Sequence, residues 1–264
     1  MNIDGTLAVV TGASGGIGQS IARALHAKGA TLLLTGRRRE ILDDLAAQVG
    51  DARVEPCDLA DRDEVHRLGD TLADVDILVA NAALPGVGEL TDFTPEEIDR
   101  AVTVNLLAPM LLTRRLLPSM LQRGRGHIVL IASMGGKVAA PKLSVYAATK
   151  FGMRGFAAAL RTDLAGTGVG ASVVFPGSIT DAGMLADAGL PASPRTKGLR
   201  AADVGAAVVH AIESNKGEID VAPAVVRIAG KVAGIAPKLM EKAVANKDAR
   251  EYADQLTEGL RHLR

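Results

Sequence analysis

Residues 7–18 read LAVVTGASGGIG, and this stretch decides the fold. Its first five residues form a continuous aliphatic and β-branched run, which is typical of a strand covered on both faces. Gly12, Gly16 and Gly18 follow, and a segment of helical period begins among them. A strand that turns through glycines into a helix directs free N–H groups and the positive helix end at one point, which favours a pyrophosphate. The alternative is a glycine-rich turn that binds nothing.

The rest of the chain repeats this alternation of short apolar runs with longer helical segments. Strands are predicted at 7–11, 31–35, 53–57, 76–80, 127–132, 171–175 and 219–222, and helices near 16–29, 39–49, 62–73, 95–121, 145–165 and 201–214. Right-handed strand–helix–strand units predict an α/β fold, a doubly wound parallel sheet of about seven strands with helices on both faces. We expect one domain over residues 1–222 and a helical extension over 223–264.

Composition and charge exclude several classes of protein. Thirty basic and thirty acidic residues give zero net charge, so no basic field for nucleic acid is expected. The single cysteine, Cys57, excludes an internal disulfide and fits a reducing compartment. We also expect no signal peptide and no membrane span, which together predict a cytoplasmic protein. The five histidines are scattered without metal-ligand spacing, so no metal site is expected.

The end of the second strand predicts which dinucleotide binds. An acid there would bond the ribose 2′-hydroxyl, but the sequence is Thr35-Gly36-Arg37-Arg38-Arg39. A guanidinium can hold a phosphate with two hydrogen bonds, so Arg37 and Arg38 favour NADP(H) over NAD(H). The alternative is a solvated basic helix start, which we expect for one of the three arginines. Asp58 has two equal readings, a contact to the adenine or a cap on the next helix.

Tyr146 and Lys150 are spaced four residues apart at the start of a predicted helix, so their side chains share one face. A free phenol, with a pKa near ~10, is a poor acid or base at neutral pH. An ammonium about 5 Å away would stabilise the phenolate by roughly 3 kcal/mol at an effective dielectric of ~20. The spacing therefore predicts a tyrosine whose pKa is lowered for proton transfer.

Several motifs together resemble the short-chain dehydrogenase/reductase family over about residues 5–215. They are TGASGGIG, Asp58, Asn81-Ala82, Asn105, Ser133, Tyr146-Ala-Ala-Thr-Lys150 and Pro176-Gly177, in the family's order and spacing. The resemblance implies a Rossmann-type fold with Tyr146 as the acid/base and Ser133 orienting the substrate carbonyl. It implies that Lys150 lowers the tyrosine pKa and binds the nicotinamide ribose, while Asn105 supports a proton-relay water. For the cofactor it implies contacts from Gly12, Ser14, Gly16, Ile17, Gly18, Arg37, Arg38, Asp58, Leu59, Asn81, Ala82, Tyr146, Lys150, Pro176, Gly177 and Ile179.

The function expected from this set is an NADP(H)-dependent oxidoreductase that interconverts a ketone or aldehyde and an alcohol. A non-catalytic NADP(H)-binding sensor or scaffold on the same fold is the alternative. Epimerase or dehydratase chemistry would usually accompany a separate substrate domain. An apolar or lipid-like substrate is expected from the predicted pocket walls, which are Leu84, Pro85, Val87, Met134, Val138, Leu143 and a mobile lid over 178–194 that carries Met184, Leu185 and Leu190.

Two further surfaces predict partners. The helices that begin near Asn105 and Tyr146 carry Leu111, Leu112, Phe151, Phe156 and Leu160, and the resemblance implies that they pair in a homodimer or homotetramer. Residues 224–236 have helical period, with Val225, Ile228, Val232, Ile235 and Ala236 on one face, and a second helix is expected from Lys238 to about Leu263. We favour packing of the apolar face on the pocket or on a partner subunit over contact with a membrane surface.

Overall fold

The structure, a computed structural model, describes residues 1–50, 52–191 and 198–263. Seven parallel strands form one sheet in the order β3-β2-β1-β4-β5-β6-β7. The strands are β1 Leu7–Thr11, β2 Thr31–Thr35, β3 Arg53–Val54, β4 Ile77–Ala80, β5 Gly126–Ile131, β6 Val169–Pro176 and β7 Glu218–Val221. The strand order reverses between β1 and β4, and a crevice opens at such a switch point beyond the carboxyl ends of the strands. The doubly wound fold is confirmed.

Helices cover both faces of this sheet. They are α1 Gly16–His26, α2 Arg39–Val49, α3 Arg62–Asp70, α4 Pro95–Val102, α5 Ala108–Arg123, α6 Ser144–Asp163, α7 Met184–Asp187, α8 Ala201–Ser214, α9 Ala224–Ile235, α10 Pro237–Val244 and α11 Lys247–Leu260. Two cores result, one under α1, α2 and α8 and one under α3, α5 and α6. Every residue of β4, β5 and β6 is buried, which explains why their sequences are apolar without alternation.

The predicted elements differ from the structure in three places. The third strand has only two residues, although the N–H groups of Glu55 and Cys57 still donate to the carbonyls of Leu34 and Gly36 at 3.0 and 3.1 Å. The predicted helix 95–121 is interrupted by one π-helical turn, Thr103–Leu107, which carries Asn105. The predicted single helix after Lys238 is two helices, because Asn246 caps the start of α11 by accepting from Ala249 N–H at 3.0 Å. The part 192–194 of the predicted lid lies outside the described residues.

The first tail helix packs on the domain through a side other than the predicted apolar face. Gly230 is the buried residue of α9, and a Cβ there would lie 3.0 Å from Met134 Cε. Val225, Ile228 and Ile235 of the predicted apolar face are exposed, so its packing on the pocket is not observed, and its packing on a partner subunit stays a prediction. Gly230 allows a close approach to the domain, whereas Gly234 is exposed.

Within the described residues, no helix is long and apolar enough to cross a bilayer. The same residues contain no group of three or more histidine, cysteine, aspartate or glutamate side chains arranged to hold a metal ion.

Candidate active site

The glycine turn after β1 is built by contacts that leave no room for side chains. Gly12 has φ of 65°, and a Cβ there would lie 2.8 Å from Cα of Ala82. A Cβ on Gly16 would lie 2.7 Å from Cβ of Ala182, and one on Gly18 would collide with the carbonyl of Gly12. The turn thus holds the N-terminus of the eleven-residue helix α1 open toward a cavity. Free N–H groups and the helix dipole favour phosphate at this point.

Asn81 joins the end of β4 to this turn. Its Nδ2 donates to the carbonyls of Thr11 at 2.9 Å and Gly12 at 3.3 Å. The Thr11 hydroxyl accepts from the N–H groups of Asn81 and Ala82 at 3.0 and 3.1 Å. These bonds fix the two strand ends on either side of the switch point. Asn81 therefore positions the glycine turn, and both Asn81 and Ala82 line the cavity.

The three arginines after β2 have different surroundings. Arg37 and Arg38 line the cavity, and Arg38 Nη2 donates to the Ser14 carbonyl at 2.6 Å. Arg39 lies 3.5 Å from Asp43 in an exposed ion pair and is absent from the cavity wall. Arg39 is thus the solvated arginine expected from the sequence. Arg37 is exposed at the cavity rim.

The structure excludes one of the two readings of Asp58, and its contact to the adenine stays a prediction. Helix α3 is capped by Asp61, whose side chain accepts from Asp63 N–H and Glu64 N–H, so Asp58 is not the cap. Asp58 accepts from Ala60 N–H at 3.0 Å and lines the cavity beside Leu59. Its carboxylate is therefore held at the wall where the sequence predicted the adenine.

Ser133, Tyr146 and Lys150 meet at the other end of the same cavity. Ser133 follows β5, and its Oγ accepts from Gly135 N–H at 3.1 Å. Tyr146 lies in the first turn of α6, where its backbone N–H donates to the Gly86 carbonyl at 3.2 Å. The Lys150 ammonium is buried, donates to the Ile131 carbonyl at 3.0 Å and lies 5.6 Å from the centre of the Tyr146 ring.

Burial controls the titration of this pair. Desolvation raises the pKa of Tyr146 to about 12, and a hydrogen bond from Ser133 opposes that rise. Desolvation lowers the pKa of Lys150 to about 7. The sequence predicted a lowered phenol pKa, and this structure shows the opposite direction. The reason is that burial of the phenol itself disfavours the charged tyrosinate, and the lysine ammonium bonds a carbonyl rather than the phenol.

Asn105 is fully buried in the π-helical turn, and its side chain forms hydrogen bonds to the loop after β4. Its Oδ1 accepts from Leu84 N–H at 2.7 Å, and its Nδ2 donates to the Leu84 carbonyl at 2.9 Å. Nδ2 also lies 3.4 Å from the Thr149 hydroxyl on α6. These bonds fix the loop that carries the predicted pocket residues Leu84, Pro85 and Val87. The predicted relay of a proton through a water at Asn105 stays a prediction.

The segment after β6 contributes backbone and small side chains. Pro176, Gly177, Ser178 and Ile179 line the cavity, and Ile179 pairs with Leu199 in an isolated parallel bridge. Thr180 lies outside the wall, with its hydroxyl 3.4 Å from the Leu199 carbonyl, and Asp181 accepts from Ala201 N–H at 2.8 Å. These two side chains therefore secure the segment to the start of α8.

One cavity of about 880 Å³ joins these parts, in the size range of ligand pockets. Apart from Asn105, every predicted catalytic and cofactor residue lies on its wall. The cavity is also lined by most of the other predicted pocket residues, namely Leu84, Pro85, Val87, Met134, Leu143, Met184 and Leu185. Val138 and Leu190 do not line it.

Packing of the first tail helix on the pocket was expected, but the wall that the last helix supplies was not predicted. Tyr252, Leu256 and Leu263 of the last helical segment line the cavity, as does Val226 of α9. The Tyr252 hydroxyl donates to the Pro191 carbonyl at 3.0 Å. The tail is further tied to the site rim by a Lys142–Asp254 ion pair. The apolar spacing of positions 252, 256, 260 and 263 is the signal that would have identified this wall.

The family model described as short chain dehydrogenase matches residues 6–190. The ketoacyl reductase HetN of Nostoc sp. is 37% identical over 226 residues, covering 82% of this chain and 78% of that protein.

Solved structures agree with that match. A metagenomic short-chain oxidoreductase in complex with NADP is 33% identical, with a TM-score of 0.72 over 84% of this chain and 99% of that one. An actinorhodin polyketide ketoreductase with NADPH is 28% identical, with a TM-score of 0.76 over 82% of this chain and 95% of that one.

Proposed function

This chain belongs to the short-chain dehydrogenase family and is an NAD(P)-dependent oxidoreductase of CH–OH and C=O groups, and from that premise we propose an NADP(H)-dependent ketone reductase with an apolar acyl-type substrate. The observation that carries the proposal is the common cavity. It has Arg37, Arg38 and the glycine turn at one end and the Ser133–Tyr146 pair at the other.

The residues present fit a nicotinamide dinucleotide. A close-packed glycine turn opens at the N-terminus of α1, where free N–H groups and the helix dipole would bind a pyrophosphate. Arg37 and Arg38 offer guanidinium groups for a 2′-phosphate, and no acid stands at that position to repel it. Asp58 and Leu59 would flank the adenine, and Ile179 with Pro176 would flank the nicotinamide. When bound, the cofactor supplies or accepts the hydride.

In this mechanism the protein handles the substrate oxygen and its proton. Ser133 donates a hydrogen bond to the carbonyl oxygen and holds it beside the phenol. As hydride reaches the carbonyl carbon, the O–H bond of Tyr146 breaks and its proton moves to the developing alkoxide. The tyrosinate left behind lies near the Lys150 ammonium, 5.6 Å from the ring centre, and the charge pair stabilises it. Oxidation of the alcohol reverses each step.

The substrate class follows from the far wall. Apolar side chains from the segments after β4, β5 and β6 and from the tail meet there, namely Leu84, Val87, Met134, Leu143, Met184, Leu185, Val226 and Leu256. Such a wall stabilises an aliphatic chain by excluding water from it. The likeness to a ketoacyl reductase and a polyketide ketoreductase supports a ketone borne on an acyl chain.

The test is a steady-state assay of NADPH oxidation with ketones and 3-ketoacyl thioesters of increasing chain length. We expect kcat/KM to rise with chain length, and NADPH to be preferred over NADH. Failure to oxidise NADPH with any ketone of the series would contradict the proposal.

We also propose a homodimer or homotetramer, supported by exposed Met110 and Phe151 on α5 and α6, and a cytoplasmic location, supported by the single buried cysteine.

A further inference from the structure

Helix α9 packs on the domain with one side and leaves the other side uncovered. Gly230 is buried on the packed side, and Val226 on that side lines the catalytic cavity. Val225, Ile228 and Ile235 lie on the open side, with exposed fractions of 63%, 61% and 87%. Leu239 of α10 continues the row with 61% exposed.

Val225, Ile228, Ile235 and Leu239 are the four most exposed large apolar side chains that the structure describes. The first three recur at helical spacing on α9, and Leu239 follows on α10. Exposure of isolated apolar residues is ordinary, but a contiguous row on one helix side marks a contact surface.

The charge of the same segment is one-sided. Residues 224–244 contain four cations, Arg227, Lys231, Lys238 and Lys242, against one acidic residue, Glu241, although the whole chain has zero net charge. All four cations are exposed, and none has an ion-pair partner among the described residues. By helical spacing, Arg227 and Lys231 lie on α9 between the apolar row and Gly230. A partner must therefore offer both an apolar layer and negative charge.

We propose that α9 and α10, residues 224–244, dock the enzyme on an anionic lipid bilayer surface. An amphipathic helix lies in such a surface with apolar side chains among the acyl chains and its cations at the headgroups. A second copy of this chain fits less well, because two α9 helices would bring like charges together without an acid to offset them. Since Val226 on the opposite side lines the cavity, docking sets α9 between the bilayer and the catalytic site. The inference does not depend on the proposed substrate.

The first experiment measures sedimentation of the full-length protein with phosphatidylcholine vesicles, with and without phosphatidylglycerol. We expect binding only to the anionic vesicles, and its loss at high salt. Arg227→Gln with Lys231→Gln should weaken binding by about fivefold per charge. Lys216→Gln, at an exposed lysine outside the segment, is the matched control and should change nothing.

The second experiment tests the apolar row with Ile228→Ser and Ile235→Ser together. Both side chains are exposed, so the variant should keep its melting temperature and NADPH affinity while losing vesicle binding. Leu90→Ser, at a leucine 57% exposed elsewhere, is the control. Equal binding to neutral and anionic vesicles, or no binding, would overturn the proposal. Conversion of an oligomer to a monomer by the double variant, without lipid binding by the wild type, would identify a second copy as the occupant.

Discussion

Lys150 and Tyr146 lie on the same face of α6, yet the ammonium is bonded to the Ile131 carbonyl at 3.0 Å and lies 5.6 Å from the tyrosine ring centre. One turn of helix thus places the cation near the phenol without a direct hydrogen bond. Because the ammonium is buried, folding works against its protonation, and the pKa of Lys150 falls from 10.5 to about 7.

This shift predicts a pH dependence of stability. Between pH 7 and 10.5 the unfolded lysine holds a proton that the folded lysine has released, so the free energy of unfolding rises with pH. The raised pKa values of Cys57 and Tyr146, both about 12, act in the opposite direction above pH 9. The window from pH 7 to 8.5 therefore isolates the lysine.

Denaturant unfolding of the wild type and of Lys150→Met across that window measures the effect. The wild-type free energy should rise by up to ~1.4 kcal/mol per pH unit, and the slope should be much smaller in the variant. Parallel slopes would show that the ammonium is not destabilised by burial.

The two tyrosines of the chain give a matched pair of variants, since both line the cavity. Tyr146→Phe should lower kcat by roughly 10²–10⁴-fold, the range for loss of a general acid, with NADPH affinity nearly unchanged. Tyr252→Phe loses only the hydrogen bond to the Pro191 carbonyl and should keep kcat within a few-fold. Retention of more than about a tenth of kcat by Tyr146→Phe would assign the acid elsewhere.

Cofactor preference should depend on Arg37 and not on Arg39. Arg37→Asp places a carboxylate where a 2′-phosphate would bind, so NADPH affinity should fall at least tenfold relative to NADH, which is about 1.4 kcal/mol. Arg39→Asp makes the same charge change at an arginine paired with Asp43 and should leave the preference intact. Titration of NAD(P)H fluorescence measures both. Equal preference in Arg37→Asp and the wild type would refute the assignment.

Much of the fold and of the reacting set was predictable from sequence, because strand burial and the positions of Tyr146, Lys150 and Ser133 are local patterns. Details that depend on three-dimensional approach were not. Asp58 and Asp61 suit a helix cap equally by residue type, and only the observed start of α3 selects Asp61.

The tail shows the same limit. Its first helix has a glycine side and an aliphatic side, and periodicity favoured burial of the larger side chains. The structure instead packs Gly230 on Met134, because the missing side chain allows a close approach beside Val226. The apolar spacing of Tyr252 and Leu256 identifies one face of α11, but the part of the domain that this face covers is set by contacts between residues far apart in sequence.

Oligomerisation should use Phe151 rather than the full predicted set. Leu112 and Leu160 are 0% and 7% exposed within the subunit, so they are core residues and not a surface for a partner. Phe151 is 41% exposed on α6. Phe151→Glu should therefore shift a dimer toward monomer in light scattering, whereas Arg62→Glu, a change on α3, should not. A wild-type monomer at micromolar concentration would contradict the proposed assembly.

The wall formed by α11 should limit the length of the substrate chain. Leu256 lines the cavity together with Met184 and Leu185, and α11 is held in place by packing of Gly259 against Ala188, where a Cβ would lie 2.7 Å from the alanine Cβ. Leu256→Trp adds bulk at this wall without touching Ser133 or Tyr146. It should lower kcat/KM for long-chain ketones by roughly 10–200-fold, in line with the loss of one or two apolar contacts, and leave a short ketone within a few-fold. Gln255→Trp, the neighbouring exposed position on the same helix, controls for the effect of a new indole on folding. If Leu256→Trp lowers kcat/KM for short and long ketones to the same extent, as Gln255→Trp does, the acyl chain does not lie against α11.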